Sequence, residues 1–174
     1  MALVVEDGTA LSNSESYVSV AGADQYHSDR NNTAWAVLTT AAKEAALRHG
    51  TEYLSQAYRL RWGGYRVKDS QALDWPRYMV EKRDSPAGFG NYPSYYDNAS
   101  VPTEVQRACA EMALRASAGD LNPDLGANIL VETTGPLVTE YDKDTPQFTR
   151  YRSIDQLLEP LLRLAGAGIQ VRRA

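Results

Sequence analysis

Apolar side chains recur along this chain with helical spacing in four stretches and with strand spacing in one. The opening Leu3-Val4-Val5 reads as a short extended piece, and Glu6-Asp7-Gly8-Thr9 turns it. Ser19 is placed to cap a first helix carrying Val20, Ala23 and Tyr26 or His27 inward, with Asn31-Asn32 as its stop. A longer helix is predicted from Thr39 or Thr40 to near Tyr58, its wide stripe made by Ala42, Ala46, Leu47, Tyr53, Leu54 and Ala57. Gly50 lies inside that stripe, where glycine costs about 1 kcal/mol relative to alanine. Either another backbone packs close there or the helix bends.

Thr103-x-x-Gln106 has the form of a capping box ahead of Val105, Ala108, Cys109, Met112 and Ala116, with Gly119 closing the helix. Ile129 to Thr134 and Leu137 to Tyr141, separated by Gly135-Pro136, read as a β-hairpin. Ser153-x-x-Gln156 opens a last helix with Ile154, Leu157, Leu158, Leu161 and Leu162 on one face, and Pro160 must kink it. The stretch from Tyr78 to Ser100 lacks periodicity and is expected to be an irregular loop. Together these elements predict a mainly α fold: a small bundle of about four helices with one β-hairpin. It occupies residues 1–165 as a single domain, followed by a flexible arm over 166–174.

A chain of 174 residues is long enough to bury a core without disulfides, and its single cysteine, Cys109, could form no internal bridge. No stretch has the length of an apolar membrane span, and the N-terminal residues lack a signal-peptide layout. The net charge of −4 argues against a dedicated nucleic-acid binder. Eleven Tyr against two Phe is a skew that suits surfaces dry on one side and wet on the other, or half-buried positions in a small domain.

Catalytic groupings are sparse. His27 and His49 fall in separate helices with no metal-ligand spacing, and no phosphate loop or dinucleotide fingerprint is present. Cys109 sits on an apolar face and reads as a small buried hydrophobe. The expectation is a protein that is not an enzyme and uses no cofactor or metal. The one basic region, Arg59 to Arg83, holds seven cationic residues against three acidic ones, interleaved with Trp62, Tyr65, Trp75 and Tyr78. Two readings stand: a surface that stacks and neutralises a single strand, or aromatic residues serving as core.

The order Val5-Glu6-Asp7-Gly8-Thr9, Ser16-Tyr17-Val18-Ser19, Ala23-Asp24-x-Tyr26, Trp35, Lys43-Glu44-x-x-Leu47, Tyr53-Leu54, Tyr58, Arg61-Trp62-x-Gly64 and Gln71-x-Leu73-x-Trp75-Pro76-Arg77 resembles a family of small tailed-bacteriophage proteins. Val101-Pro102-x-x-Val105, Gly135-Pro136-Leu137 and Leu157-Leu158-x-Pro160-Leu161-Leu162 extend the resemblance to Leu164. Members are often labelled DnaT-like single-stranded-DNA-binding proteins and look like head-to-tail connector adaptors. The sequence departs from the pattern between Tyr78 and Ser100, where a shorter and less tyrosine-rich link is expected.

The resemblance implies a structural virion protein of the neck, made in the host bacterial cytoplasm. It implies a ring, commonly of twelve copies, docked on the capsid portal protein, with a stopper or tail-completion protein on its far side. Genome DNA would pass through the channel without sequence-specific binding, and no membrane is involved. Ile169, Gln170, Val171, Arg172 and Arg173 are then candidates for portal binding, and Tyr92, Tyr95 and Tyr96 for subunit or partner contacts. Arg59, Arg61, Arg66 and Lys68 are candidate DNA-facing residues. The alternative from another class is a single-stranded-DNA-binding replication accessory.

Overall fold

The fold is that of a computed structural model, which describes residues 2–85, 93–124, 131–134, 137–140 and 149–163. Among the described residues five α-helices and two short antiparallel ladders follow one another, so the chain is mainly α as expected. The helices are α1 (Val20–Ser28), α2 (Thr33–Ala36), α3 (Thr40–Tyr58), α4 (Thr103–Ala116) and α5 (Arg152–Leu158). The strands are β1 (Tyr65–Arg66), β2 (Arg77–Tyr78), β3 (Val131–Thr134) and β4 (Leu137–Glu140).

Two helix starts match the sequence reading. The Ser19 hydroxyl accepts from the Gly22 amide at 3.0 Å, and the Thr39 hydroxyl accepts from Ala42 at 3.2 Å, each satisfying an amide that the first helical turn leaves unpaired. The two capping boxes do not form. Pro102 occupies the N-cap of α4 and Tyr151 that of α5, neither with a side-chain cap, and the Gln106 side-chain amide instead donates from Nε2 to the Val101 carbonyl at 3.1 Å. A proline cannot bond to α4's open amides through its side chain, so Thr103 becomes the first helical residue. The kink at Pro160 is as expected: α5 stops at Leu158 and the chain tightens into a 3-10 turn over Glu159–Leu161.

The core lies between α3 and α4 and is closed by α5. Leu47, Leu54, Val105, Ala108, Met112, Ile154 and Leu158 are fully buried or nearly so, each large aliphatic contributing about 1.5–3 kcal/mol. Gly50 explains how closely the two helices approach. A Cβ there would lie 2.8 Å from the Ala113 amide nitrogen and 3.1 Å from the Cys109 carbonyl oxygen. Of the two sequence alternatives, close backbone packing is therefore the one realised. Cys109 is buried against the Thr51 hydroxyl at 3.2 Å, and burial pushes its thiol up.

The N-terminal segment is a loop wound around one carboxyl group. Val5 bridges to Ser16, and between them Glu6 is buried. Its Oε1 accepts from the amides of Gly8 (3.0 Å) and Ala10 (2.9 Å), and its Oε2 from the Leu11 amide and the Ser14 hydroxyl, both at 3.0 Å. Gly8 has φ +99° and abuts the Ala99 carbonyl, so closely that a Cβ would sit 2.1 Å from that oxygen.

The hairpin expected near 129–141 is present as β3 and β4, with Val131 opposite Glu140 and Thr134 opposite Leu137. In the loop expected from Tyr78 to Ser100, the described residues 80–82 and 94–96 pair through their backbones. Lys82 donates its amide to the Ser94 carbonyl at 2.7 Å, Tyr96 donates to Val80 at 2.8 Å, and Glu81 bridges to Tyr95. Backbone pairing of this kind needs no apolar periodicity, which is why the sequence concealed it.

Candidate functional site

In the basic and aromatic stretch from Arg59 to Arg83 the two tryptophans and Arg77 turn inward. Trp62 and Trp75 have no exposed surface and meet edge to face, ring centroids 5.8 Å apart, with Tyr58 5.7 Å from Trp62. Arg77 is buried and holds the turn before β1. It donates from Nε to the Gly63 carbonyl at 2.7 Å, from one terminal nitrogen to Gly64 at 3.0 Å and from the other to the Asp74 carbonyl at 3.2 Å. Burial pushes the Asp74 carboxyl above the usual carboxylate range despite Arg59 at 3.7 Å, and lowers the Arg77 guanidinium.

The four candidate DNA-facing cations all have partners within the fold. Arg59 pairs with Asp74, and Arg61 pairs with Asp155 at 3.3 Å. Arg66 donates to the Gln71 carbonyl, and Lys68 donates to the Thr9 carbonyl at 2.7 Å. Arg83 likewise reaches the Leu162 carbonyl. Alongside the exposed side chains of Arg59, Arg61 and Lys68, the stretch leaves an apolar ridge outside: Tyr65 and Tyr78 face each other across the β1–β2 ladder, 58% and 41% exposed, their rings 5.5 Å apart, beside Met79 at 58%. Met79 holds φ +60°, a backbone conformation that a side chain of its size seldom adopts.

Of the tyrosines singled out for contacts, Tyr95 is exposed, and Tyr96 is half-buried with the Lys82 ammonium 5.2 Å from its ring centre. Tyr92 and the arm residues Ile169, Gln170, Val171, Arg172 and Arg173 lie outside the described residues. His49 is exposed, 3.9 Å from Glu52. Among the described residues no three His, Cys, Asp or Glu side chains converge as a metal site, and no helix is long and apolar enough to cross a membrane.

His27 is buried with both ring nitrogens engaged, Nε2 at 3.1 Å from the Ala110 carbonyl and Nδ1 at 3.0 Å from the Asn32 amide. A carbonyl only accepts and an amide NH2 only donates, so this is neutral imidazole with its proton on Nε2. Burial holds His27 below its usual value of 6.5, against the opposing pull of the Ala110 hydrogen bond and of Glu111. The unfolded chain therefore binds the proton more readily, and stability should fall as pH drops from 6.5 through the lowered folded value. Urea midpoints at pH 7 and 5.5 check this: the unsubstituted chain loses stability across the interval, and His27→Gln does not.

One feature escaped the sequence reading altogether. A groove runs along α3 between the end of α4 and the start of α5. Its larger part, about 490 Å³, is lined by His49, Glu52, Tyr53, Gln56, Asp120 and Leu121 among others. The adjoining part, about 260 Å³, shares Tyr53, Gln56 and Asn122 and adds Tyr58, Arg61, Tyr151 and Asp155. Asp155 accepts from the Tyr58 hydroxyl at 2.9 Å, from Arg61 and from Arg150 at 3.4 Å, while Tyr53 and Tyr151 meet edge to face. The helical spacing of His49, Glu52, Tyr53 and Gln56 was the available signal, but the opposite wall comes from residues some seventy to a hundred positions away.

The fold and these surfaces define a small, mainly helical protein with a two-stranded hairpin, and among its described residues the exposed features include the apolar ridge at Tyr65, Tyr78 and Met79 and an open groove along α3. Residues 1–174 match the family described as Putative DnaT-like ssDNA binding protein, and the chain belongs to that family. No curated protein and no solved structure matches it.

Proposed function

We propose that this protein is a head-to-tail connector adaptor of a tailed bacteriophage, a structural component without catalytic activity. Copies of the chain, twelve in the arrangement that the resemblance implies, form a ring on the portal. The ring passes DNA through its channel and presents its far side to a stopper or tail-completion protein. The observation that carries this reading is the burial of Trp62 and Trp75, which leaves neither ring free to stack a base, while the exposed Arg59, Arg61 and Lys68 each hold a partner within the chain. The segment best suited by sequence to hold a single strand spends its tryptophans on the core and its cations on carbonyls and carboxylates. Tyr65, Tyr78 and Met79, left exposed, are residue types favoured where proteins meet.

The second reading, a single-stranded-DNA-binding replication accessory, is favoured by the family's description. Fluorescence anisotropy of labelled single strands at 50 and 200 mM salt separates the two. The adaptor reading expects no tight binding at either salt. Tight binding that collapses with salt and is lost on Arg59→Ala plus Arg61→Ala, in a variant whose circular dichroism is unchanged, would establish the second.

A further inference from the structure

We infer that copies of this chain meet head to tail, the exposed ridge of Tyr65, Tyr78 and Met79 on one copy seated in the groove along α3 of the next. This contact rests on the assembling role proposed above and gives that role its two surfaces. Tyr65 and Tyr78 pair across the β1–β2 ladder and Met79 follows directly, so three large apolar side chains stand exposed together. Arg77 pins the ladder through the Gly63 and Gly64 carbonyls, at 2.7 and 3.0 Å. The ridge is therefore not free to swing into its own groove, and a second molecule has to supply one.

Charge selects the surface that receives the ridge. It lies in the basic region from Arg59 to Arg83, which holds seven cationic residues against three acidic ones. Arg66 and Lys68 beside it donate to the uncharged carbonyls of Gln71 and Thr9, contacts that leave their positive charge in place. Arg66 also stands directly opposite Arg77 in the ladder. Two ridges brought face to face would set these like charges together, which disfavours a symmetric dimer through this surface. The larger part of the groove offers the opposite sign. Glu52 and Asp120 line it, with no Lys or Arg among its described lining residues. The carboxyl end of α4 reaches it at Ala116, where a helix carries partial negative charge. Tyr53 and Leu121 lie with these carboxylates and provide apolar surface for the tyrosines and Met79 to cover. A contact between two different surfaces leaves each pair with one ridge and one groove still open, so further copies add, and the series closes as a ring where the rotation allows.

Disulfide trapping between two full-length variants tests it. Met79→Cys and Gln56→Cys, carrying tags of different size, are mixed at high micromolar concentration and oxidised; the native Cys109 is buried and does not compete. Gln56 lines both parts of the groove. The mixed disulfide should form about fivefold faster, or more, than that between Val37→Cys and Gln56→Cys. Val37 is the fitting control because it is more exposed than Met79, 81% against 58%, and belongs to neither surface. Glu52→Gln plus Asp120→Asn in the Gln56→Cys copy should slow trapping about fivefold. The same two changes in the Met79→Cys copy should leave the rate unchanged, because that copy lends its ridge and not its groove. Equal rates at Met79 and Val37, a product made mostly of Met79→Cys joined to itself, or equal effects of neutralisation in either copy would each overturn the inference. Comparison with the portal separates this result from the adaptor reading. A ring on the portal without preferential trapping removes the contact and keeps the adaptor, and preferential trapping with a bare portal keeps the contact and removes the adaptor.

Discussion

Replacing Glu6 with alanine should lower the unfolding free energy by about 3–5 kcal/mol, enough to unfold a marginally stable domain of this size. The side chain is buried and its two oxygens serve as acceptors for three backbone amides and one hydroxyl. Alanine leaves all four donors without a partner, and each such buried group costs about 1–3 kcal/mol unless water reaches it. Glu6→Gln is the informative companion. It keeps the oxygen that faces Gly8 and Ala10 but points an NH2 at the Leu11 amide and the Ser14 hydroxyl, so roughly half the loss is expected. Urea unfolding followed by circular dichroism measures both, and a cost below about 1 kcal/mol for Glu6→Ala would contradict the account of this loop.

Trp62→Ala and Trp75→Ala should each cost about 3–5 kcal/mol, through lost burial and the cavity left behind. Neither ring has an exposed face on which a base could stack. The contrast is with Tyr65→Ala and Tyr78→Ala, whose side chains are exposed on the surface and which should change stability by less than about 1 kcal/mol. If the tryptophans formed a binding platform, the order would reverse, with mild effects on stability and strong ones on affinity. Thermal unfolding of the four variants distinguishes the patterns.

These two cases mark what could be read from the sequence. Helices with strong apolar periodicity, α3 and α4 above all, were legible because burial on one face imposes the 3.6-residue repeat. Gly50 marked either a close backbone or a bend, and the close backbone is the one realised. Glu6 was legible only as part of a turn. Its role depends on amides that come within reach after the loop closes, and no spacing rule encodes that. Thr103 was misleading because a local motif for capping says nothing of the proline that takes the cap position.

The β1–β2 ladder is two residues long in each strand, too short for alternation to register. In the site region, composition showed cations and aromatics together but not where they point. Arg77 stands among the buried residues, while Tyr65, so close in sequence to Trp62, faces solvent. The groove was illegible for a different reason: Tyr53, Asn122 and Tyr151 meet only through the packing of α3 against α4 and α5.

The proposed adaptor acts by assembling, and the tryptophans of its basic and aromatic segment serve the fold. Electron microscopy of the cognate portal incubated with the protein separates this role from strand binding. A ring of added density on the portal, with symmetry-related copies around the channel, is the predicted result. A bare portal, from a protein that at the same concentration binds single-stranded DNA tightly and in a salt-sensitive way, would contradict it.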